Sequence, residues 1–170
     1  MDEQVDVVDE NCNSIKIVSK KDAHKEGLLH KCVIAQLIDS QNRWLLIKQS
    51  SGRQDAGQYV SPVGGHVSAR EGDVDALKRE ILEEIGLKDF KYEYIGRVIY
   101  NRQVIGRKEN HYFIMYKVFS DEKPVLSHEA ESYRYFTPDE LKKELKDHPK
   151  DFGDAFYAVA KEFHHHLLEE

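Results

Sequence analysis

The stretch Gly64–Leu87, GGHVSAREGDVDALKREILEEIGL, decides how the rest of the chain reads. Glu80, Glu83 and Glu84 stand at i, i+3 and i+4. On a helix they share one face, within an arc of roughly 100°. Val74, Leu77, Ile81 and Ile85 fall on the adjoining arc and form the apolar stripe that presses such a helix onto a core. Like charges at this spacing repel by about 0.2–0.5 kcal/mol per pair. A hard divalent cation with a preference for oxygen ligands, Mg²⁺ or Mn²⁺, would neutralise them. Arg79 lies one turn before Glu83 and can hold it by a charge-assisted hydrogen bond. Gly86 stands where a helix of this kind stops. For an ExxEE pattern alone, a solvated acidic face is the competing reading.

The pattern extends further. Gly65 is followed after five residues by Glu71, then after seven by Arg79-Glu80-Ile81, then by Glu83-Glu84 and Gly86-Leu87, each after one residue. This resembles the Nudix box at every specified position. The resemblance implies an α/β (α+β) fold, a mixed β-sheet sandwiched between α-helices. It implies a loop-helix-loop that holds divalent cations, Mg²⁺ or Mn²⁺, against a diphosphate. The implied activity is hydrolysis of a P–O–P bond in a nucleoside diphosphate linked to another moiety, or in a related diphosphate. By the same resemblance Glu80, Glu83 and Glu84 are metal ligands, Gly64 lends its carbonyl, and Glu71 braces the loop or reaches the metal through water. The general base is Glu80 or a glutamate on a distant loop, for which Glu129 fits better than Glu131. Many relatives are dimers, so the resemblance is compatible with a homodimer.

A second, narrower resemblance runs through DVVDEN, His24…LLHKCV, VGGHV and ENHYF. These segments are similar to type 1 isopentenyl diphosphate isomerase, a Nudix subgroup with a metal site of histidines and glutamates. The matching positions are His24, His30, His66, Glu109 and His111, a second set of metal-ligating candidates. Singly, each histidine reads more simply as a hydrogen-bonded or surface residue. The departures are specific. Gly64 occupies the position of the isomerase's proton-transferring cysteine, His111 replaces the second glutamate, and the box, often degraded in isomerases, is complete here. Two rivals to the hydrolase therefore stand: an isomerase-like enzyme, and a catalytically idle module that binds a diphosphate ligand.

Composition sets the bounds. The chain has 170 residues, 40% hydrophobic and 33% charged, which suits one domain with a short N-terminal β-hairpin extension over about residues 1–20. The net charge of −6 and the lack of a long basic run argue against a nucleic-acid partner. Cys12 and Cys32 do not make a disulfide framework. The acidic start MDEQVDVVDEN has no apolar signal region and no apolar run is of spanning length, so the reading is a cytoplasmic protein without membrane partners.

In chain order, residues 4–8 and 15–18 read as a hairpin, and 21–28 as a short helix or a loop. Residues 31–39 and 44–49 read as a second hairpin, and 50–58 as a loop. The box helix spans about 73–85. Residues 90–100 and 110–119 read as strands joined by a basic loop, 101–109, and 132–136 as a last strand. Thr137 and Pro138 start a helix to about residue 146. A final amphipathic helix is expected over 151–168, with no role given to its three consecutive histidines, 164–166. The loops 50–58 and 101–109 are expected to set the choice of leaving group. Arg43, Lys48, Arg53 and Arg102 are candidates for its far end, and Trp44 and Tyr59 could stack a base but suit core packing better.

Overall fold

The computed structural model describes residues 3–52, 55–104 and 106–169. Strands β1 (Gln4–Val8) and β2 (Ser14–Ser19) pair as an antiparallel hairpin. Its turn closes because the Asp9 carboxylate accepts from the backbone N–H groups of Asn11 and Asn13, each at 2.9 Å. The segment that sequence left between helix and loop is α1 (Lys20–Glu26). Ser19 caps it by accepting from the Asp22 N–H, and Gly27 ends it in the left-handed region at φ 71°.

Strand β3 (His30–Ile38) is the spine of the sheet. It pairs antiparallel with β1, with β4 (Trp44–Gln49) and with β6 (Val63–His66), and parallel with β8 (Arg107–Phe119). Strand β7 (Lys91–Val104) adds to β8; β5 (Tyr59–Val60) and β9 (Ala130–Phe136) add to β4. The period-2 alternation of β3 sends its side chains into two cores. Val33, Ala35 and Leu37 meet Leu77, Ile81 and Ile85 of α2 (Asp73–Ile85). Cys32, Ile34 and Ile38 pack in a second core with Leu141 and Leu145 of α3 (Pro138–Asp147) and Phe156 and Val159 of α4 (Asp154–Phe163). Helices therefore cover both faces of a mixed sheet, as the box resemblance implied. The apolar stripe of α2 is placed as its spacing predicted: Leu77, Ile81 and Ile85 have no solvent exposure. Each contributes roughly 1.5–3 kcal/mol by burial.

Two sequence expectations are corrected. Residues 101–109 are largely strand, because β7 and β8 stay paired out to Val104 opposite Arg107, with Gly106 in the left-handed region beside them. The basic composition of that segment concealed cross-strand pairing of opposite charge: Arg102 lies opposite Glu109. The last helix is not continuous. A 3₁₀ turn at Pro149–Asp151 gives way to extended Phe152, and Gly153 then starts α4. The Gly153 N–H is drawn instead to the Tyr59 carbonyl at 2.9 Å. After α4 the chain breaks again at His164, whose buried ring meets Trp44 edge-on at 4.9 Å. Trp44 is a core residue at 2% exposure, and Tyr59 packs edge-on against Phe136. No helix among the described residues is long and apolar enough to cross a membrane.

Candidate active site

The carboxylates of α2 face the four-residue strand β6. The Gly64 N–H donates to Glu84 Oε2 at 2.9 Å. Gly65 leaves room for the Glu80 carboxyl: a Cβ there would collide with it and force it to shift from its place beside Arg79. Arg79 ties the group together. Its guanidinium donates to both oxygens of Glu71 at 2.9 Å, to Glu80 at 2.7 Å and to the His66 carbonyl at 3.0 Å. Glu83, expected to be its partner, is farther off at 3.5 Å and mostly exposed. Glu71 also accepts from the Ser68 N–H at 3.0 Å, which ties the loop before α2 to Arg79.

The electrostatics follow the geometry. Arg79 holds the Glu71 carboxyl below the usual carboxylate range. Burial pushes the Glu80 carboxyl up against the pull of Arg79. Glu84 is pushed to about 8, first by burial and then by Glu80, Glu129 and Glu83, with the Gly64 N–H opposing. Glu80 and Glu84 are therefore held as carboxylates at a cost that a cation would offset.

On the other face of β6 the four histidines named by sequence converge. His24 comes from α1, His30 from β3, His66 from β6 and His111 from β8. The strand register explains it: His30 is directly opposite His111 in the parallel pair, and Cys32 opposite His66. The Nε2 atoms of His24, His66 and His111 lie 3.3–3.4 Å apart. One ligand atom from each of the four rings lies within 4.8 Å of the others. His30 Nδ1 faces the Leu28 carbonyl at 2.8 Å, and its buried Nε2 has no hydrogen-bond partner among the described residues. His111 Nδ1 faces Glu109 Oε2 at 3.4 Å. Burial lowers all four imidazoles below their ordinary value, His30 to about 4, so the rings are neutral at pH 7.

Neutral imidazoles with converging lone pairs are a metal-ligand set. A tetrahedral ion at about 2.0–2.1 Å from each nitrogen requires edges of about 3.3–3.4 Å, the spacing of three of these atoms. The residues present fit such an ion. Glu109 accompanies the cluster without joining its inner ring of nitrogens.

Glu80, Glu83 and Glu84 line one cleft of about 820 Å³ with His24, His66 and His111, together with Glu3, Lys20, Cys32, Asp55, Arg102, Arg107 and Glu129; His30 lies behind it, fully buried. Glu129, half-buried, lines it and Glu131 does not. Sequence reasoning passed over Asp55 and Glu3, and set Cys32 aside as lying in the wrong segment for a site thiol, whereas it lines the cleft. Cys32 could have been found from its place two residues after His30, which puts both on one face of a strand. Its thiol is buried and pushed well up by desolvation.

A glutamate-bearing helix laid against a glycine pair at the edge of such a sheet defines a class. The NUDIX domain matches residues 28–156, and the chain belongs to the Nudix family. Over 90% of its length it is 29% identical to isopentenyl-diphosphate delta-isomerase 1 of Aromatoleum aromaticum, covering 88% of that protein. It is 31% identical to an uncharacterised Nudix hydrolase of Streptomyces coelicolor over 59% of this chain and 56% of that one. The crystal structure of DR0079 from Deinococcus radiodurans shares the fold with a TM-score of 0.72 at 20% identity, across 94% of this chain and 98% of that one. The chain is thus a Nudix domain homologous to both isopentenyl-diphosphate isomerases and Nudix hydrolases.

Proposed function

We propose that the protein is a metal-dependent pyrophosphohydrolase that cleaves the P–O–P bond of a diphosphate linked to another moiety. The observation that carries this reading is the Arg79 clamp, which gathers Glu71, Glu80 and the β6 backbone beside Glu84 despite the repulsion among the acids. Glu80, Glu83, Glu84 and the Gly64 carbonyl would hold Mg²⁺ or Mn²⁺, ions suited to oxygen donors. Such a cation, when bound, neutralises phosphate charge and lowers the pKa of a bound water. The chain's own part is to orient and to take the proton. Glu80 or Glu129 is the base, Arg79 fixes Glu80, and Glu71 fixes Arg79. The histidine cluster would hold a second, borderline ion, because imidazole suits zinc and its neighbours better than Mg²⁺.

The isomerase reading is favoured by the relationship to the Aromatoleum enzyme and by the histidine cluster. Against it, the resemblance puts Gly64 where isomerases carry a thiol, and glycine has no proton to give. The deciding experiment incubates the protein with Mg²⁺ and a panel of nucleoside diphosphates, triphosphates, nucleotide sugars, dinucleotide polyphosphates and isopentenyl diphosphate. Phosphate release and dimethylallyl diphosphate are both read. Release without isomerisation supports the hydrolase; isomerisation without release overturns it; neither leaves a diphosphate-binding module. Gly64→Cys sharpens the result, since a Cβ at Gly64 meets nothing within 4 Å.

A further inference from the structure

The imidazole wall departs from what the isomerase resemblance implies, and the departure lies in its donors. By that resemblance, residues 109 and 111 would both bring carboxylates. Here residue 111 is a histidine, and Glu109 is engaged elsewhere. Its Oε1 accepts from Arg107 at 3.2 Å, and its Oε2 faces His111 Nδ1 at 3.4 Å.

Two contacts decide which nitrogen a ring offers. A carbonyl only accepts, so His30 Nδ1, 2.8 Å from the Leu28 carbonyl, carries the proton. In a neutral ring the lone pair is then on Nε2. A carboxylate also only accepts, which puts the His111 proton on Nδ1 toward Glu109 and leaves Nε2 free to ligate. The Nε2 atoms of His24, His66 and His111 form a triangle with edges of 3.3–3.4 Å on the cleft side. His30 lies behind them. It has no solvent exposure, and its ring is stacked on that of His66 with centroids 5.1 Å apart. Its Nε2 has no hydrogen-bond partner among the described residues. In a cluster held by hydrogen bonds alone, that buried acceptor would stay unmet, which is costly. An ion shared with the other three rings gives it a partner.

We propose that these four histidines make a coordinatively closed site, a staple between α1, β3, β6 and β8 whose ion has a protein nitrogen at every corner and takes no part in substrate chemistry. Structural sites are closed in this way, whereas catalytic ones keep a position for water or substrate. Four imidazoles suit a tetrahedral ion of the zinc class. His30 fills one corner from the side the cleft does not reach, and His111 fills another where the resemblance expects an oxygen donor. The inference rests on the donors of this wall and not on hydrolysis at the other.

Cobalt(II) reads the coordination directly, because its visible bands are intense in a tetrahedral field and weak in an octahedral one. The full chain is stripped with a chelator and reloaded with one equivalent of Co²⁺, with Mg²⁺ in excess to occupy the carboxylates. The native protein shows tetrahedral bands, and neither azide nor methylenediphosphonate, a diphosphate mimic that cannot be hydrolysed, shifts them. His24→Ala opens a corner toward the cleft, and azide then shifts the bands. Loading also raises the melting temperature by roughly 8–16 °C at a buffered free-ion concentration about a thousandfold above Kd. Octahedral bands, a shift with either additive in the native protein, no uptake of Co²⁺, or no rise in melting temperature overturns the assignment. Should His24→Ala not fold or not load, the native spectra and melts carry the test alone. None of these readouts involves phosphate release, so the hydrolase reading can fail while the staple stands, and the reverse.

Discussion

On one wall of the cleft, three carboxylates come from residues 80–84 of a single helix; on the other, imidazoles come from α1, β6 and β8, backed by the buried His30 of β3. The first wall is local. Its order comes from helical periodicity, one arginine and a glycine pair next to it in sequence. The second is assembled by sheet register, and exists only once β3 and β8 have paired in parallel with His30 opposite His111. The donor chemistry differs in step: carboxyl oxygens, the donors hard cations prefer, on one side, and imidazole nitrogens, the donors borderline ions prefer, on the other. A local site can be altered without disturbing the sheet, whereas the imidazole site reports directly on whether the sheet is correctly registered.

The largest expected effect separates the walls outright. Glu84→Gln should lower phosphate release by about 10³-fold, as loss of a group stabilising transition-state charge does. Transition metal held at the histidines, measured by elemental analysis, should be unchanged. A joint loss would mean the walls form one site. Next comes Gly65→Ala, whose methyl must displace the Glu80 carboxyl. A shift near 1 Å in a catalytic group costs on the order of 10²-fold in kcat, read in the same assay with thermal stability as control. Glu109→Gln acts on the other wall through His111, and should weaken metal affinity by roughly 10–100-fold in a chelator competition while sparing the Glu84 side.

The smallest effect uses a histidine outside the cleft. His164 is buried and held down at about 4, against 6.5 in the unfolded chain. The unfolded state therefore binds the extra proton between these values, and stability falls as the pH drops from 6.5 toward 4. The slope from this one group is at most about 1.4 kcal/mol per pH unit. His164→Phe should flatten the acid limb of a pH series of denaturant melts. Metal added to the native protein should protect the cleft histidines from acid and leave the His164 contribution in place.

The unequal legibility of the two walls in the sequence has the same origin. Gly65 to Leu87 is one contiguous pattern, so the helix, its buried stripe and its stop at Gly86 could be read directly, whereas the partners of Arg79 (Glu71 and Glu80 rather than Glu83) could not. The histidines are scattered from 24 to 111, and no periodicity links them. They were found only because their flanking segments resemble a known subgroup. The fold class was legible by resemblance, while the break in the last helix was not. Amphipathic spacing over 151–168 cannot register that the Gly153 N–H bonds to Tyr59 on a distant strand. Arg102 was one of four equivalent cations in sequence, and its place in the lining of the cleft separates it from Arg43 and Lys48; Arg53 lies outside the described residues.

Gly65 and His66 are consecutive residues, and Arg79 grips the carbonyl of the second while holding the acid that crowds the first. One peptide unit therefore joins the backbone that abuts the carboxylates to a residue of the imidazole group, so the two donor sets share a single stretch of strand while drawing on different elements for the rest of their members.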